Sequence, residues 1–356
     1  MKDESSQGIV EGGVCPIPLR HDEQVVVGHG SGGRMTHELV QRLFYPALGN
    51  TDLLRGDDAA VLAAPSGGRI AVCTDSHIVS PLFFPGGDIG RLAVCGTVND
   101  LAMVGARPAA LTAGFILEEG LALEVLERVL RSMQVAAEEA GVRVVAGDTK
   151  VVEKGKGDGL FINTAGVGWM PEGREVGGAM ARPGDAVILS GPIGEHGIAV
   201  LAARGELALE SSVRSDTAPL NRLVEAMFES CPEIHTLRDP TRGGLATTLN
   251  EIARQSGVAI HIEEAAIPIR PSVEAACEML GFDPLYIANE GKLVAIVPER
   301  EAEDVLAAMK ATRYGEEACR IGEVREAPAG RVLMRTGIGG TRVVDLLAGE
   351  MLPRIC

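Results

Sequence analysis

Strand-like and helix-like segments alternate along this chain from Val25 onward, and the alternation breaks once, at the glycine-rich stretch GWMPEGREVGGAMAR of 168–182. A chain with that alternation buries its apolar faces by laying helices on sheets, so both halves are expected to be α/β or α+β layers. Its 356 residues suit two domains. The expected organisation is a mobile arm at 1–24, an N-terminal domain at 25–168, a C-terminal domain at 169–345 and a tail at 346–356 outside the layers. In the first half, 25–27, 59–63, 69–74, 109–116, 142–146 and 161–167 read as strands. Helices are expected at 35–44, at 88–104 with Asp88 as its cap, and at 121–140, where Leu123, Leu126, Val129, Leu130 and Met133 recur at helical spacing before Gly141. The second half predicts strands at 186–189, 259–262, 293–297 and a pair near 320–335, with helices at 196–204, 218–230, 244–256 and 302–312.

Charge and composition exclude several functions. The net charge of −16 repels nucleic-acid phosphate, and seven Phe, three Tyr and one Trp offer few surfaces for stacking bases. No run of about 18 apolar residues reads as a membrane span, and the opening MKDESSQGIVEGG has no apolar stretch like that of a signal peptide. The seven cysteines form no CxxC pair, which argues against a zinc knuckle and fits reduced thiols in the cytoplasm. One of them, Cys356, is the last residue, a thiol on a tether shortened by Pro353. Spacing alone leaves open whether it is a swinging nucleophile or chance.

The strongest chemical signal is a set of aspartates bordering apolar segments: Asp57 and Asp58, Asp75, Asp100 and Asp148. Parallel layers would bring them to one sheet edge, where ligand crevices form. Converging carboxylates repel unless a cation neutralises them, so four such motifs in one half favour a metal–nucleotide site over ordinary turns. Lys150, beside Asp148, suits charge neutralisation on phosphate or is simply a solvated lysine. His77 is a base, a phosphate donor or a structural histidine. The segment Gly28–Gly33 matches GxGxxG, but Asp52 does not end an apolar run, so a flexible phosphate or peptide clamp, or a plain Gly-rich turn, is favoured over a dinucleotide fingerprint. In the second half, Asp239–Gly244 opens a helix, and the Gly243 and Gly244 N–H groups with Arg242 suit phosphate. The run Asn289–Lys292 reads as a hairpin turn.

Taken together, HGSGG (29–33), GDDAAV (56–61), TDS (74–76), NDLAMVGARP (99–108), GDTKVV (147–152), ARPGD (181–185), DPTRGGL (239–245), NEGK (289–292) and the terminal PRIC resemble the HypE family of hydrogenase maturation factors, the carbamoyl dehydratases, over about 25–356. GDDAAV, TD, NDLA and GDT are shared with aminoimidazole ribonucleotide synthetases, selenophosphate synthetases and thiamine-monophosphate kinases, whereas terminal PRIC is particular to this family. The resemblance implies a two-domain PurM-like α/β fold, whose N-terminal ATP-binding domain joins sheets across a homodimer, and a flexible C-terminal tail. It implies Mg2+ at Asp58, Asp75, Asp100, Asp148 and Asp239. It implies ATP contacts at Gly30, Ser31, Gly32, Gly33, Thr74, Asn99, Gly147, Thr149, Thr241, Arg242, Gly243 and Gly244. The reaction implied is ATP-dependent dehydration of an S-carboxamide on Cys356 to a thiocyanate, with Lys150 as cationic stabiliser and Glu290 and His77 as proton-transfer groups. The implied partners are the carbamoyltransferase HypF, which loads the cysteine, and the HypC–HypD complex, which accepts the cyanide; no nucleic acid or membrane is involved. Arg242 stands where thiamine-monophosphate kinases typically have a second Asp, and Cys15 lies too far upstream for the reactive cysteine of a selenophosphate synthetase. A dinucleotide oxidoreductase, a non-catalytic scaffold that docks through its tail, and a small-molecule kinase or amidine-forming synthetase remain the alternatives.

Overall fold

The computed structural model describes residues 23–30, 34–55, 62, 65–205, 212–346, 352 and 354–356. Most of the expected arm and most of the expected strand at 59–63 lie outside the described residues. The run Val25–Val27 is not a strand. Val25 is held at one point, with its N–H donating to the Leu121 carbonyl and its carbonyl accepting from Gly120, and the chain then turns in a 3-10 helix at Val27–Gly30. A helical run follows: α1 (Arg34–Leu39) passes through a π-helical turn, Val40–Phe44, into α2 (Tyr45–Leu48).

The first half continues with β1 (Arg69–His77), a short hairpin of β2 (Phe83–Phe84) and β3 (Gly87–Asp88), α3 (Ile89–Met103), β4 (Arg107–Glu118), α4 (Leu123–Ala140), β5 (Arg143–Val152) and β6 (Leu160–Met170). Its main sheet runs β1-β6-β4-β5. Only β4 and β5 are parallel, because α4 carries the chain back over the sheet between them. The β6 strand pairs antiparallel with both β1 and β4. The expectation of parallel layers therefore holds for one strand pair, and the aspartates do not share one parallel edge.

The two helices on this sheet form for different reasons. On α4 the residues at helical spacing, from Leu123 to Met133, are buried on one face, and Gly141 ends the helix at φ 75°. Asp88 starts α3 by accepting from the Gly90 and Arg91 N–H groups at 2.8 and 3.0 Å. Unlike α4, α3 is buried on nearly every side, because it lies on β1 and β6 and also meets the second half. The sheet's inward side chains Leu111, Ala113, Phe115 and Leu117 are buried, while its other face leaves Ile70, Val72 and Ile116 exposed.

The second half comprises β7 (Asp185–Leu189), α5 (Glu195–Ala203), α6 (Asn221–Ser230), β8 (Thr236–Arg238), α7 (Gly244–Ser256), β9 (Ala259–Glu263), α8 (Pro271–Leu280), β10 (Val294–Pro298), α9 (Ala302–Lys310), β11 (Cys319–Arg325), β12 (Arg331–Arg335) and β13 (Thr341–Val344). Its sheet runs β13-β12-β9-β11-β7-β10-β8, with β9 and β12 its one parallel pair. The pattern did not predict β8, α8 or β13; β8 and β13 are three and four residues long, too short to show a period. Nor is Asn289–Lys292 a hairpin turn, since α8 rather than a strand precedes it. Truncating Leu126, which is fully buried under the first sheet, to alanine is expected to cost about 2–5 kcal/mol. Asp88→Ala should cost only about 1 kcal/mol for the lost cap. Urea denaturation of the two variants checks that order.

Candidate active site at the C-terminal cysteine

The last residues of the chain are docked rather than loose. The Ile78 N–H donates to an oxygen of the Cys356 terminal carboxylate at 3.0 Å and the Ser80 N–H to the Arg354 carbonyl at 3.2 Å, so the tail lies antiparallel to the stretch that follows β1. Arg204 donates to the Ser80 and Arg354 carbonyls, both at 3.0 Å. Arg354 in turn pairs with Asp158 and donates to the Ile78 carbonyl. Between them Ile355 is only 3% exposed and belongs to the first half's core, and Leu352 packs beside it. The sequence left the resting position of a flexible tail open. Here its end is placed by backbone hydrogen bonds and an apolar anchor.

This docking puts the half-buried Cys356 thiol among carboxylates. Burial, then the nearby Glu290 and Asp75 carboxylates, push the thiol up to about 12, against the opposing pull of Arg242. Glu290 is buried, its Oε1 has no hydrogen-bond partner, and burial followed by the charges of Asp239, Asp75, Asp216 and Asp100 raises it well above the usual carboxylate range. Asp100, on the inner turn of α3, is pushed to about 7 by burial and by Asp239 and Asp75. Asp239, at the end of β8, reaches about 6 by burial and the Asp75 charge. His77, at the end of β1, is buried with neither ring nitrogen hydrogen-bonded; its Nε2 lies 3.5 Å from Asp75 Oδ2. Burial lowers His77, partly offset by Asp75. A histidine so placed is neutral and has both nitrogens available to an incoming group.

Of the residues singled out in the sequence, the structure thus gathers Cys356, Glu290, His77, Asp75, Asp100, Asp239 and Arg242. Gly243 opens α7 at φ 77° and Gly244 follows at φ 59°, where added side chains would strike Thr247 and the Leu285 carbonyl. The Gly244 N–H is spent on the Thr241 carbonyl at 2.9 Å, so it is not the free donor the sequence suggested. Asn99 is likewise committed: its amide donates to the Ala218 carbonyl and accepts from Leu220, tying α3 to the second half. Lys150 and Asp148 are exposed and paired with each other at 2.8 Å. They share the uncovered face of the first sheet with Ile116, as the register of β4 against β5 requires, and this chain does not bring them to Cys356. Thr74 is on the same uncovered side, bonded to the Thr164 carbonyl and to Asn163. On β5, Gly147 would strike the Ala113 carbonyl if it carried a side chain, and Thr149 lies next to Asp148. Gly30 packs so tightly on β5 that a side chain there would meet the Val151 nitrogen at 2.4 Å. Ser31, Gly32, Gly33 and Asp58 lie outside the described residues.

Asp216 and His196 carry no sequence motif, and Asn289 turns out to have a role other than the expected hairpin turn. Asp216, whose carboxylate is buried, accepts from the Glu290 and Gly291 N–H groups at 3.1 and 3.2 Å and meets the Lys292 ammonium at 3.3 Å. Asn289 takes the Gly194 N–H at 2.7 Å and donates to the Pro240 carbonyl at 2.9 Å, so it ties the NEGK run to the DPTRGG run. His196 contacts the tail. The stretch around Asp216 has no period, so only its short polar run could have drawn attention.

The converging carboxylates offer hard oxygen donors that share a deficit of countercharge, which is the chemistry a divalent cation satisfies. Among the described residues no three His, Cys, Asp or Glu side chains close on one point.

The AIR synthase related protein N-terminal domain matches residues 56–170, and the corresponding C-terminal domain matches 182–335. The chain is 58% identical over 333 residues, 94% of its length and 95% of the relative's, to the carbamoyl dehydratase HypE of Cupriavidus necator. It is similar to the crystal structure of the hydrogenase maturation protein HypE in complex with ATP, at a TM-score of 0.89 and 52% identity over 93% of this chain and 99% of that one. It is also similar to a HypE chain crystallised as a HypE–HypF complex, at a TM-score of 0.76 and 49% identity over 88% of this chain and all of that one.

Since Asp100 keeps its proton in the folded state up to about pH 7 but releases it near 3.8 when unfolded, the fold binds more protons across that interval. Its contribution is therefore fully present at the acid end and is lost as pH rises to about 7. In cation-free buffer, the stability of Asp100→Asn relative to the parent chain should improve steadily across that interval. Urea denaturation at a series of pH values tests this; a constant difference would contradict it.

Proposed function

The chain belongs to the AIR synthase related family and, within it, to the HypE carbamoyl dehydratases, and on that footing we propose that it converts a carbamoyl group on its own Cys356 into a thiocyanate at the expense of ATP, as the cyanide source for [NiFe]-hydrogenase maturation. The observation that carries this reading is the docked tail, which sets the Cys356 sulfur among Glu290, Asp75 and Arg242.

The chemistry of the sulfur supports the order of events. A thiol pushed up to about 12 is almost wholly protonated at neutral pH and is a poor nucleophile there. The docked position thus suits a sulfur that is already acylated, which carries neither proton nor charge. Loading by the carbamoyltransferase HypF then belongs to an undocked tail. After loading, the carboxamide oxygen attacks the γ-phosphorus of ATP, ADP leaves, and one N–H proton is lost, giving an S-bound imidoyl phosphate. Phosphate then leaves carbon as the second N–H proton departs, and the C≡N bond forms. The amide oxygen is a poor leaving group and its phosphate ester a good one, so the remaining work is positioning and charge neutralisation.

Each residue has a part. Glu290, with its unpartnered Oε1, and His77, with two unengaged nitrogens, are the proton-transfer candidates within the pocket. Glu290 accepts a proton only as carboxylate, which its raised position opposes until a cation or the Arg242 guanidinium offsets the surrounding acids. Bound Mg2+ would supply countercharge to ATP phosphates. Asp75, Asp100 and Asp239 are the residues to hold it, with Asp58 and Asp148 as further candidates. Arg242 beside the α7 N-terminus suits a phosphate group. Thr241, Gly243, Gly30 and the other glycine-run residues are assigned to ATP, with Thr74, Gly147 and Thr149 on the first sheet. Lys150 is assigned as the cationic stabiliser. Because it stands with Ile70, Val72 and Ile116 on the uncovered sheet face, it would join a site formed when a second copy covers that face in a homodimer. Asn99 is better assigned to holding α3 in place. The domain limits 25–168 and 169–345 are kept as a proposal.

The HypC–HypD complex is the proposed cyanide acceptor. Every cysteine among the described residues is a free thiol, which fits a reducing cytoplasm. No helix among the described residues is long and apolar enough to cross a membrane.

With the carbamoyltransferase HypF, a carbamoyl donor and ATP, intact-mass spectrometry should show Cys356 gaining a carbamoyl group and then losing one water. Cys356→Ala should show neither change while still binding ATP; a mass gain in that variant would remove the tail from the mechanism. Glu290→Gln should accept the carbamoyl group but lose water at least about a hundredfold more slowly.

A further inference from the structure

The tail's last peptide carbonyl is recognised by a side chain that the dehydration chemistry does not use. His196, the second residue of α5, is fully buried, and its Nε2 lies 2.8 Å from the Ile355 carbonyl oxygen. A carbonyl only accepts, so Nε2 carries the proton and donates. Nδ1 must then accept, and it does so from the Ser215 hydroxyl at 2.8 Å. Ser215 Oγ itself accepts from the Thr217 N–H at 3.1 Å and from the Thr217 hydroxyl at 2.6 Å. Every donor in this short chain thus has an acceptor, and the imidazole is neutral. The Phe84 ring meets the imidazole edge-on, 5.4 Å between centroids, and holds its plane.

The neighbour of Ser215 has a second duty. Asp216 grips the Glu290 and Gly291 N–H groups, and a side chain at Gly291 would strike the Asp216 carbonyl at 1.8 Å. Two consecutive residues therefore set two positions. Ser215, through His196, sets the carbonyl one residue before the cysteine, and Asp216 sets the backbone of Glu290. The Ser215 N–H is itself fixed on the Pro85 carbonyl at 2.7 Å, next to the β2–β3 hairpin of the first half.

We propose that His196, held in one tautomer by Ser215, is the positioning residue that latches the C-terminal tail through the Ile355 carbonyl and so registers the Cys356 sulfur against Glu290. The latch reads backbone, so it acts alike on a free and an acylated cysteine. It rests on the proposed dehydration only where the rate of that step is measured.

The test compares His196→Leu, which keeps bulk and loses the donor, with His196→Gln, whose amide restores a donor near Nε2, and with Ser215→Ala. The first readout is the alkylation rate of Cys356 by iodoacetamide in full-length protein, mapped by mass spectrometry, with the buried Cys95 as internal reference. His196→Leu should expose Cys356 about tenfold, the worth of one buried hydrogen bond, with Cys95 unchanged. His196→Gln should return to within about threefold of the parent, and Ser215→Ala should fall between them. The second readout is the rate of ATP-dependent water loss from pre-carbamoylated Cys356, which should fall in the same order. Parent-like protection in His196→Leu, or equal loss of protection in Leu and Gln variants, would overturn the latch. If His196→Leu does not fold, unchanged alkylation in Ser215→Ala overturns it instead. If the alkylation order holds but the parent chain never loses water, the latch stands and the dehydratase reading fails.

Discussion

Asp75, Asp100, Asp239 and Glu290 are brought together by packing that does not supply enough positive charge to ionise them all. Asp75 comes from β1, Asp100 from α3, Asp239 from the end of β8 and Glu290 from the run before β10, so the cluster exists only because the two halves close on α3. Burial on nearly every side of α3 makes that closure strong. Burial, with the neighbouring carboxylates adding to it, raises Asp100 to about 7 and Asp239 to about 6. Such a pocket is poised for a ligand that brings its own cations, and nucleotide phosphates with a divalent ion are the natural candidates.

The tail enters this pocket by a different physics. Its placement uses backbone oxygens, the Arg204 and Arg354 guanidinium groups, an apolar anchor at Ile355 and a single buried imidazole, and no side chain of the acid cluster. Docking and chemistry are therefore separable. Leaving the pocket would cost the tail a few hydrogen bonds and one buried isoleucine. Inside, the thiol's suppressed ionisation makes the cysteine a poor nucleophile at neutral pH.

Much of this was legible in the sequence, and the unread parts have physical reasons. The periodic helices α4 and α7 fall within a few residues of their expected ends, because one buried face imposes a period, whereas β5 runs on to Val152, well past its expected end at 146, and Val25–Val27 is no strand. Asp75, Asp100, Asp239, His77, Glu290 and Cys356 were all singled out, since their motifs are local. What local patterns do not carry is which motif meets which. Asp148 and Lys150 looked equivalent to the other acids and their neighbours, yet the register of β4 against β5 turns them to the opposite face of the sheet. Asn99 belonged to a promising motif, yet both ends of its amide hold the two halves together. His196, Ser215 and Asp216 had no motif at all, and their roles come from contacts between distant parts of the sequence, as between His196 and Ile355 or Asp216 and Glu290.

The central claim is that Cys356 rests inside an acidic, buried pocket. Thiolate absorbance during a pH titration, taken as the difference between the parent chain and Cys356→Ser, measures that directly. The docked thiol, pushed up to about 12, predicts no thiolate signal from Cys356 through about pH 10, whereas an unburied cysteine titrates near about 8.5. A transition at that ordinary value would show the thiol in water and contradict the account.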